Sequence, residues 1–530
     1  MKQGQLVPVV CEQIIPGDRF RVGLTYQMQL APMLNPVYDG LEVNFEAFFV
    51  PNRILDAKWR DFWTGYNEYD QMTPVEISPL KLAIQVSGIQ SISESLPDTA
   101  NPPLGLSSLS DFIGLQHGRV SPSGIPIPRK DNSPNNPTTL RTAAINAYPF
   151  LAYNRIWDDW YRNERTQRAS LYEWYNYYES GGGSSANRYI FSSYTFSGAD
   201  FLKAPSDAPF IPVQLHYRNY KKDRFTTALP EPIIGGDVRI PTNDDFNGSS
   251  IGSVIPQSSE GFNLNALALG TIQQLKLALK EYQYRMKDTY NGNRYVESLY
   301  SHYGVVVPDS TLQRSIYLGS ARDYVNFGEV YQTSAGDGDA SSGALGDYAG
   351  RGAANGTHYL FDESFFECGF FFVLMSVSPR SRYFQGAKRF LTRFDRDDYF
   401  SPEYQNIGDD FIETSELFND DVESWSFGNQ TPVTSDVPHE SAIFGFNSRW
   451  IEHKQRYDEL HGDFANPLSP MFNWNFARNF KNAPVISPEF SSIRPVNKPF
   501  VDLSDANDNY FVDVAIKMEA LRPILAVESF

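Results

Sequence analysis

Cysteine is nearly absent from this sequence, with Cys11 and Cys368 the two among 530 residues. That excludes a disulfide framework and every four-cysteine zinc module. Long apolar runs are missing too. The most apolar stretch, Phe365 to Val377, has 13 residues and contains Glu367, short of the roughly 20 that span a bilayer. The opening MKQGQLVPVV has no signal-peptide core and no small-residue cleavage site. The chain is therefore expected to be soluble, without membrane insertion, and made in a reducing cytoplasm. Positive charge is in the minority: 45 Lys and Arg face 63 Asp and Glu, a net charge of -18. This argues against tight nucleic-acid binding by overall charge and against a cationic membrane-surface protein.

Catalytic and metal-binding motifs are equally scarce. The seven histidines, at 117, 216, 302, 358, 439, 453 and 461, form no HExxH and no helical pair with a carboxylate. His453 and His461 flank Glu459 at a spacing that matches no metal site, so a surface role is expected. No GxxxxGK phosphate loop occurs, and Gly181-Gly182-Gly183 runs into serines instead of a helix. Gly248-Ser249-Ser250-Ile251-Gly252 has the spacing of a hydrolase elbow. That elbow needs an apolar strand before it and a helix after it; polar residues from Pro241 and then Pro256 stand there, so a loop is expected. Asp337-Gly338-Asp339-Ala340-Ser341 opens like a calcium loop, but Ser342 and Tyr348 occupy the places that need glycine and glutamate. No enzyme activity, metal or cofactor is expected.

Aromatic residues are what the chain has in excess: 38 Phe, 31 Tyr and 8 Trp, 15% of the total. Large flat side chains at that density suit β-rich packing and extensive subunit contacts. Phe20, Val22, Leu24, Tyr26, Met28 and Leu30 alternate with Arg19, Arg21, Gly23, Thr25, Gln27 and Gln29, the period-two mark of a strand with one buried face. In the next strand Val43, Phe45, Ala47 and Phe49 oppose Glu42, Asn44 and Glu46, and Phe48 breaks the polar side, which suggests a second covering element. The alternation returns from Tyr510 to Glu519, and Phe365–Val377 reads as a strand buried on both faces. Strands at both ends suit a sandwich whose first and last strands pair in one sheet.

Helices are few. Ile54, Leu55, Trp59, Phe62 and Trp63 fit one short amphipathic helix, and Pro149 starts another that carries Tyr153, Ile156, Trp157, Trp160 and Tyr161. The clearest helical period runs from Leu264 to about Met286 through Ile272, Leu275, Leu279 and Tyr282. Polar tracts rich in Gly, Pro, Ser and Asn cover Ser87–Thr138, Ser180–Ser197, Pro241–Gly261 and Ala335–Asn355. Loops that long are uncommon in a compact monomer; packing among copies of the same chain would order them.

Two basic clusters are interleaved with aromatics. Arg380, Arg382, Lys388 and Arg389 lie near Tyr383, Phe384 and Phe390, with Arg393 and Arg396 beyond; Lys221, Lys222 and Arg224 lie beside Tyr220 and Phe225. Such mixtures grip single-stranded nucleic acid by stacking and phosphate pairing. The competing reading is a solvated face or an inter-subunit salt-bridge strip, favoured by Asp395, Asp397 and Asp398 nearby. Asp409–Glu423 holds seven acids, would repel phosphate, and is expected on an outer or subunit-facing surface.

An ordered set of short segments resembles the major capsid proteins of microviruses, especially the gokushovirus-like branch. It comprises Pro16-Gly17-Asp18, Phe48-Phe49-Val50-Pro51 with Trp59, and Ala147-Tyr148 with Asn154, Ile156, Trp157, Trp160 and Arg162. Phe225-Thr226, Leu229-Pro230, Gly292-Asn293-Arg294-Tyr295-Val296-Glu297 and Leu312-Gln313-Arg314 follow. Tyr317-Leu318-Gly319, Gln332-Thr333-Ser334 and Arg396-Asp397-Asp398-Tyr399 complete it. Ser315-Ile316 and Ser320 depart from the family pattern, and the tract at Pro241–Gly261 is short for the loop that builds a threefold protrusion.

The resemblance implies a mainly β fold: an eight-stranded viral jelly roll with long inserted loops and a few short helices. One domain would span 1–530, with insertions at about 51–364 and 378–505. It further implies a structural protein of the virion, sixty copies of which close a T=1 icosahedral shell around single-stranded DNA in the host bacterial cytoplasm. The implied partners are the chain itself, the packaged DNA, a small basic DNA-binding virion protein, minor or pilot and internal scaffolding proteins, and a host cell-surface receptor. The alternative is a carbohydrate-binding or glycan-cleaving β-sandwich, with Trp157, Trp160 and Trp174 as sugar platforms and carboxylates as acid/base pairs.

Overall fold

The computed structural model describes residues 1–65, 81–86, 109–114, 141–179, 189–192, 210–231, 272–291, 294–331, 348–393, 396–404, 409–418, 443–504 and 508–523. The glycine run at 181–183, Ser250, the acidic loop at 337–342, His117, His439 and most of the polar tracts lie outside the described residues.

Eight strands build the centre: β1 (Val7–Ile14), β2 (Arg19–Leu30), β3 (Leu41–Pro51), β4 (Ile316–Tyr324), β5 (Asn326–Tyr331), β6 (Tyr348–Ser364), β7 (Gly369–Pro379) and β8 (Tyr510–Leu521). They form two four-stranded sheets in the orders β1-β7-β3-β4 and β8-β2-β6-β5. Every pairing within them is antiparallel. The alternation of β2 is realised residue by residue, with its even positions buried and its odd positions facing outward. Its buried side chains pack against Phe45, Ala47 and Phe49 of β3 and Phe371, Val373 and Met375 of β7. The last strand pairs with β2 along its length, from Tyr510 opposite Leu30 to Leu521 opposite Arg19.

Strands β3 and β7 are buried on both faces. Their second face is covered by α1 (Tyr148–Ile156) and the π-helical turn Trp157–Tyr161 that continues it. Phe48 meets the rings of Trp160, Tyr161 and Tyr317 there. The break in the β3 alternation is thus a contact with a second layer.

The structure differs from the sequence expectations in several places. Strand β1 has no clean alternation and was not anticipated, because it pairs with β7 through an irregular register at Pro8. Strands β4, β5 and β6 arise within 316–364, inside the stretch expected as an insertion. Tyr348–Asn355, expected as loop, forms the start of β6. The glycines there permit close approach: a Cβ on Gly350 would lie 2.5 Å from the Asn35 carbonyl oxygen. Strand β7 begins at Gly369, and Phe366 in the preceding turn is exposed. The single helix expected around Trp59 is two, Asn52–Leu55 and Trp59–Thr64. Asp56 divides them: its extended backbone ends the first, and its carboxylate accepts from the Lys58 amide at 2.9 Å and the Tyr148 hydroxyl at 2.7 Å.

Two further helices, α2 (Ile272–Asn291) and α3 (Tyr295–Tyr303), precede β4. Residues 264–271, expected to begin the first, lie outside the described residues. No described helix is long and apolar enough to cross a membrane.

Candidate nucleic-acid interface

The two basic clusters, distant in sequence, converge on one buried carboxylate. Arg224 Nη2 lies 2.7 Å from Glu416 Oε2. Arg389 Nη1 lies 3.6 Å from Glu416 Oε1 and 3.1 Å from Glu413 Oε1, and its Nη2 lies 3.5 Å from Asp410. The Glu416 carboxyl is pushed up to about 7 by burial, with Arg224 and Arg389 pulling it back down. Sequence folds this way locally because Glu413–Glu416 forms a capping box that turns Glu416 inward, while Asp409–Glu413 pairs as a strand with Ile443–Ser448.

The remaining predicted cations have separate fates. Lys388 Nζ lies 2.8 Å from Glu459 Oε2, and Arg382 Nη2 lies 3.3 Å from the buried Asp39. Lys221 Nζ lies 2.5 Å from Glu42 but keeps an exposed side chain. Lys222 and Arg380 are exposed, and the Arg380 guanidinium sits 6.0 Å from the Tyr324 ring centre. In the described part of the acidic tract, Asp410, Glu413 and Glu416 are turned onto Arg389 and Arg224. Residues 419–423 lie outside the described residues.

One polar hub escaped the sequence reading. Asp159, in the π-helical turn, accepts from Arg155 Nε at 3.0 Å, the Ser315 amide at 2.9 Å and the Ser315 hydroxyl at 2.8 Å. Its neighbour Asp158 accepts from the amides of Ser170 and Leu171 at 2.6 and 3.1 Å. Arg294 donates to the Asp159 and Arg162 carbonyls at 2.8 and 2.7 Å. These residues pin the segment before β4 to α1. The available signal was the co-occurrence of Asn154, Arg162, Arg294 and Arg314 among the family-like segments.

Among the described residues, His216, His453 and His461 and the three candidate tryptophans have structural partners. His216 is stacked between Tyr153 and Trp157, at 5.6 and 4.4 Å between ring centres, with Nε2 2.7 Å from Asn154 Oδ1. Burial lowers its pKa to about 3. His461 pairs with Glu459 at 3.0 Å, whereas His453 packs on Phe400 and Trp450. Among the described residues no three His, Cys, Asp or Glu converge as a metal site. Trp157 and Trp174 are buried and donate to the Tyr217 and Leu55 carbonyls. Trp160 is held by Ser315 at 2.9 Å, with Arg314 over its ring at 3.8 Å. The three form no open sugar platform.

Comparison with known proteins places the chain among structural proteins. The profile of the family described as capsid protein (F protein) matches residues 1–92 and 131–529. Capsid protein VP1 of Chlamydia phage 1 is 25% identical over 591 residues, covering 98% of this chain and 91% of that protein. Capsid protein VP1 of Bdellovibrio phage phiMH2K is 24% identical, covering 94% and 87%. Capsid protein VP1 of Spiroplasma virus 4 is also 24% identical, covering 92% and 84%. These relatives are structural proteins, not enzymes.

Proposed function

From the premise that the chain belongs to the capsid protein (F protein) family, we propose that sixty copies of it close a T=1 icosahedral shell around a single-stranded DNA genome. The observation that carries this reading is the extent of the family match, which runs through all eight strands of the sandwich. We assign those strands to a single viral jelly roll whose insertions supply the inter-subunit contacts. Closed rotation axes let several modest patches per subunit sum to a stable cage. Exposed aromatics such as Tyr303 and Phe366 would anchor such patches.

Acidity constrains the contents. Sixty copies at -18 carry a formal -1080 before the genome adds its own charge. Packaged DNA therefore needs another source of cations, a role we assign to a small basic virion protein, and this chain would touch DNA only locally. Lys221, Lys222, Arg380 and Lys388 are the members of the two clusters suited to phosphate by exposure or partial exposure. Arg224, Arg382 and Arg389 serve mainly to hold the subunit together. Minor or pilot proteins, an internal scaffolding protein and a host cell-surface receptor complete the partners, with assembly in the host cytoplasm.

Sedimentation and negative-stain microscopy test the proposal. Sixty chains of 60.0 kDa should give hollow or filled particles of about 3.6 MDa of protein, and virions should protect single-stranded DNA from nuclease. A lone subunit that binds or cleaves glycans under every assembly condition would overturn it.

A further inference from the structure

Helices α2 and α3 form a pair with several exposed apolar side chains that join none of the hydrophobic clusters among the described residues. Among the described side chains of 276–290 and 294–306, none belongs to a hydrophobic cluster. Leu277 and Leu279 are 68% and 54% exposed, and Tyr300, Tyr303 and Val306 also stand in solvent. A 20-residue helix is about 30 Å long and marginal in water by itself; it gains stability by burying an apolar stripe.

The pair is tethered at its base by polar contacts. Arg165 donates to the Asp288 and Thr289 carbonyls, both at 2.8 Å, which satisfies acceptors in the last turn of α2. His302 Nε2 lies 2.8 Å from Asp288 Oδ1, and its ring stacks on Tyr284 at 4.2 Å. Thr289, near the base, is the buried residue of the pair among the described residues, whereas the side chains from Lys276 to Lys280 are exposed or half-exposed. The N-terminal half of α2 therefore projects as an arm.

We infer that this arm docks onto a second copy of the same chain, with Leu277 and Leu279 entering the neighbour's surface and Lys276, Lys280 and Lys287 meeting its carboxylates. This rests on the shell reading above and names one contact within it. Charge selects the occupant: among the described residues the three lysines have no carboxylate partner, Lys280 bonding Gln283 at 3.1 Å, and every other copy is a surface of net charge -18. At the arm itself the exposed apolar side chains are the aliphatic Leu277 and Leu279, which suit protein pockets and offer no stacking to bases, whereas the exposed rings Tyr284, Tyr300 and Tyr303 belong to the rest of the pair.

The test compares three proteins under conditions where the unaltered chain forms particles: the unaltered chain, Leu277→Asp with Leu279→Asp, and Lys276→Glu with Lys280→Glu. Both variants should melt as subunits within a few degrees of the unaltered chain, since no core contact is removed. Both should reduce particle yield at least tenfold in sedimentation. A photo-crosslinking amino acid at position 279 of assembled particles provides a readout independent of the variants' folding. It should give a covalent dimer of the chain. Variant particles at undiminished yield, or crosslinks to DNA instead of protein, would overturn the arm contact while leaving the shell reading intact. Failure of the unaltered chain to assemble under any condition would instead remove the reading on which the contact rests.

Discussion

Arg224 and Glu416 meet at 2.7 Å with their side chains 4% and 0% exposed, so a residue that reads as a DNA-binding cation is sealed inside the subunit. Such a pair is costly to break from one side, because Glu416 stays buried and keeps Arg389, at 3.6 Å, as its remaining cation. Arg224→Ala should therefore destabilise the unassembled subunit by about 3–5 kcal/mol in urea titration. Arg224→Leu with Glu416→Leu should recover most of that loss. A single Arg224→Ala variant as stable as the natural chain would show that the pair is open to water.

The exposed cations should behave in the opposite way. Replacing Lys222 and Arg380 together by Glu should leave subunit melting nearly unchanged, since exposed charges contribute about 0–1 kcal/mol; Lys221 is left in place because it holds the buried Glu42. Packaged DNA should be less ordered in density maps of the variant particles, and assembly in the presence of DNA should become more sensitive to salt. DNA as well ordered as before would remove these residues from the interface.

His216 makes the fold sensitive to acid. Its native pKa is lowered to about 3 by burial, whereas in the unfolded chain it titrates near 6.5. Between those values the unfolded chain binds a proton that the native chain refuses, so stability falls as pH drops. The loss approaches about 1.4 kcal/mol per pH unit below about pH 6. Urea melts at pH 7, 5.5 and 4.5 should show a shallower pH dependence for His216→Gln than for the natural chain. Equal slopes would place the titrating group elsewhere.

Gly319 has no room for a side chain where β4 passes β6. A Cβ there would stand 2.3 Å from the Leu360 carbonyl oxygen, which belongs to backbone and cannot swing away. Gly319→Ala should cost about 1–3 kcal/mol by overpacking and lower the yield of soluble subunit. A melting temperature equal to that of the natural chain would mean that the strands separate freely.

The β2 and β8 strands were legible because alternation is a local property: Phe20 to Leu30 and Tyr510 to Met518 each declare one face buried whatever covers it. Strands β4 to β6 were not legible, since glycine-rich Tyr348–Asn355 spells loop until Asn35 is seen lying against Gly350. Phe48 announced a second layer without naming α1 as that layer.

Sequence alone determined the acidic balance, the lack of cysteine scaffolding and the strand faces, all of which follow from composition or from spacing between near neighbours. Tertiary structure alone decided which cations meet water. Coulombic pairing depends on distance in space, and Glu416, Asp39 and Glu459 reach Arg224, Arg382 and Lys388 only after the chain has folded back on itself.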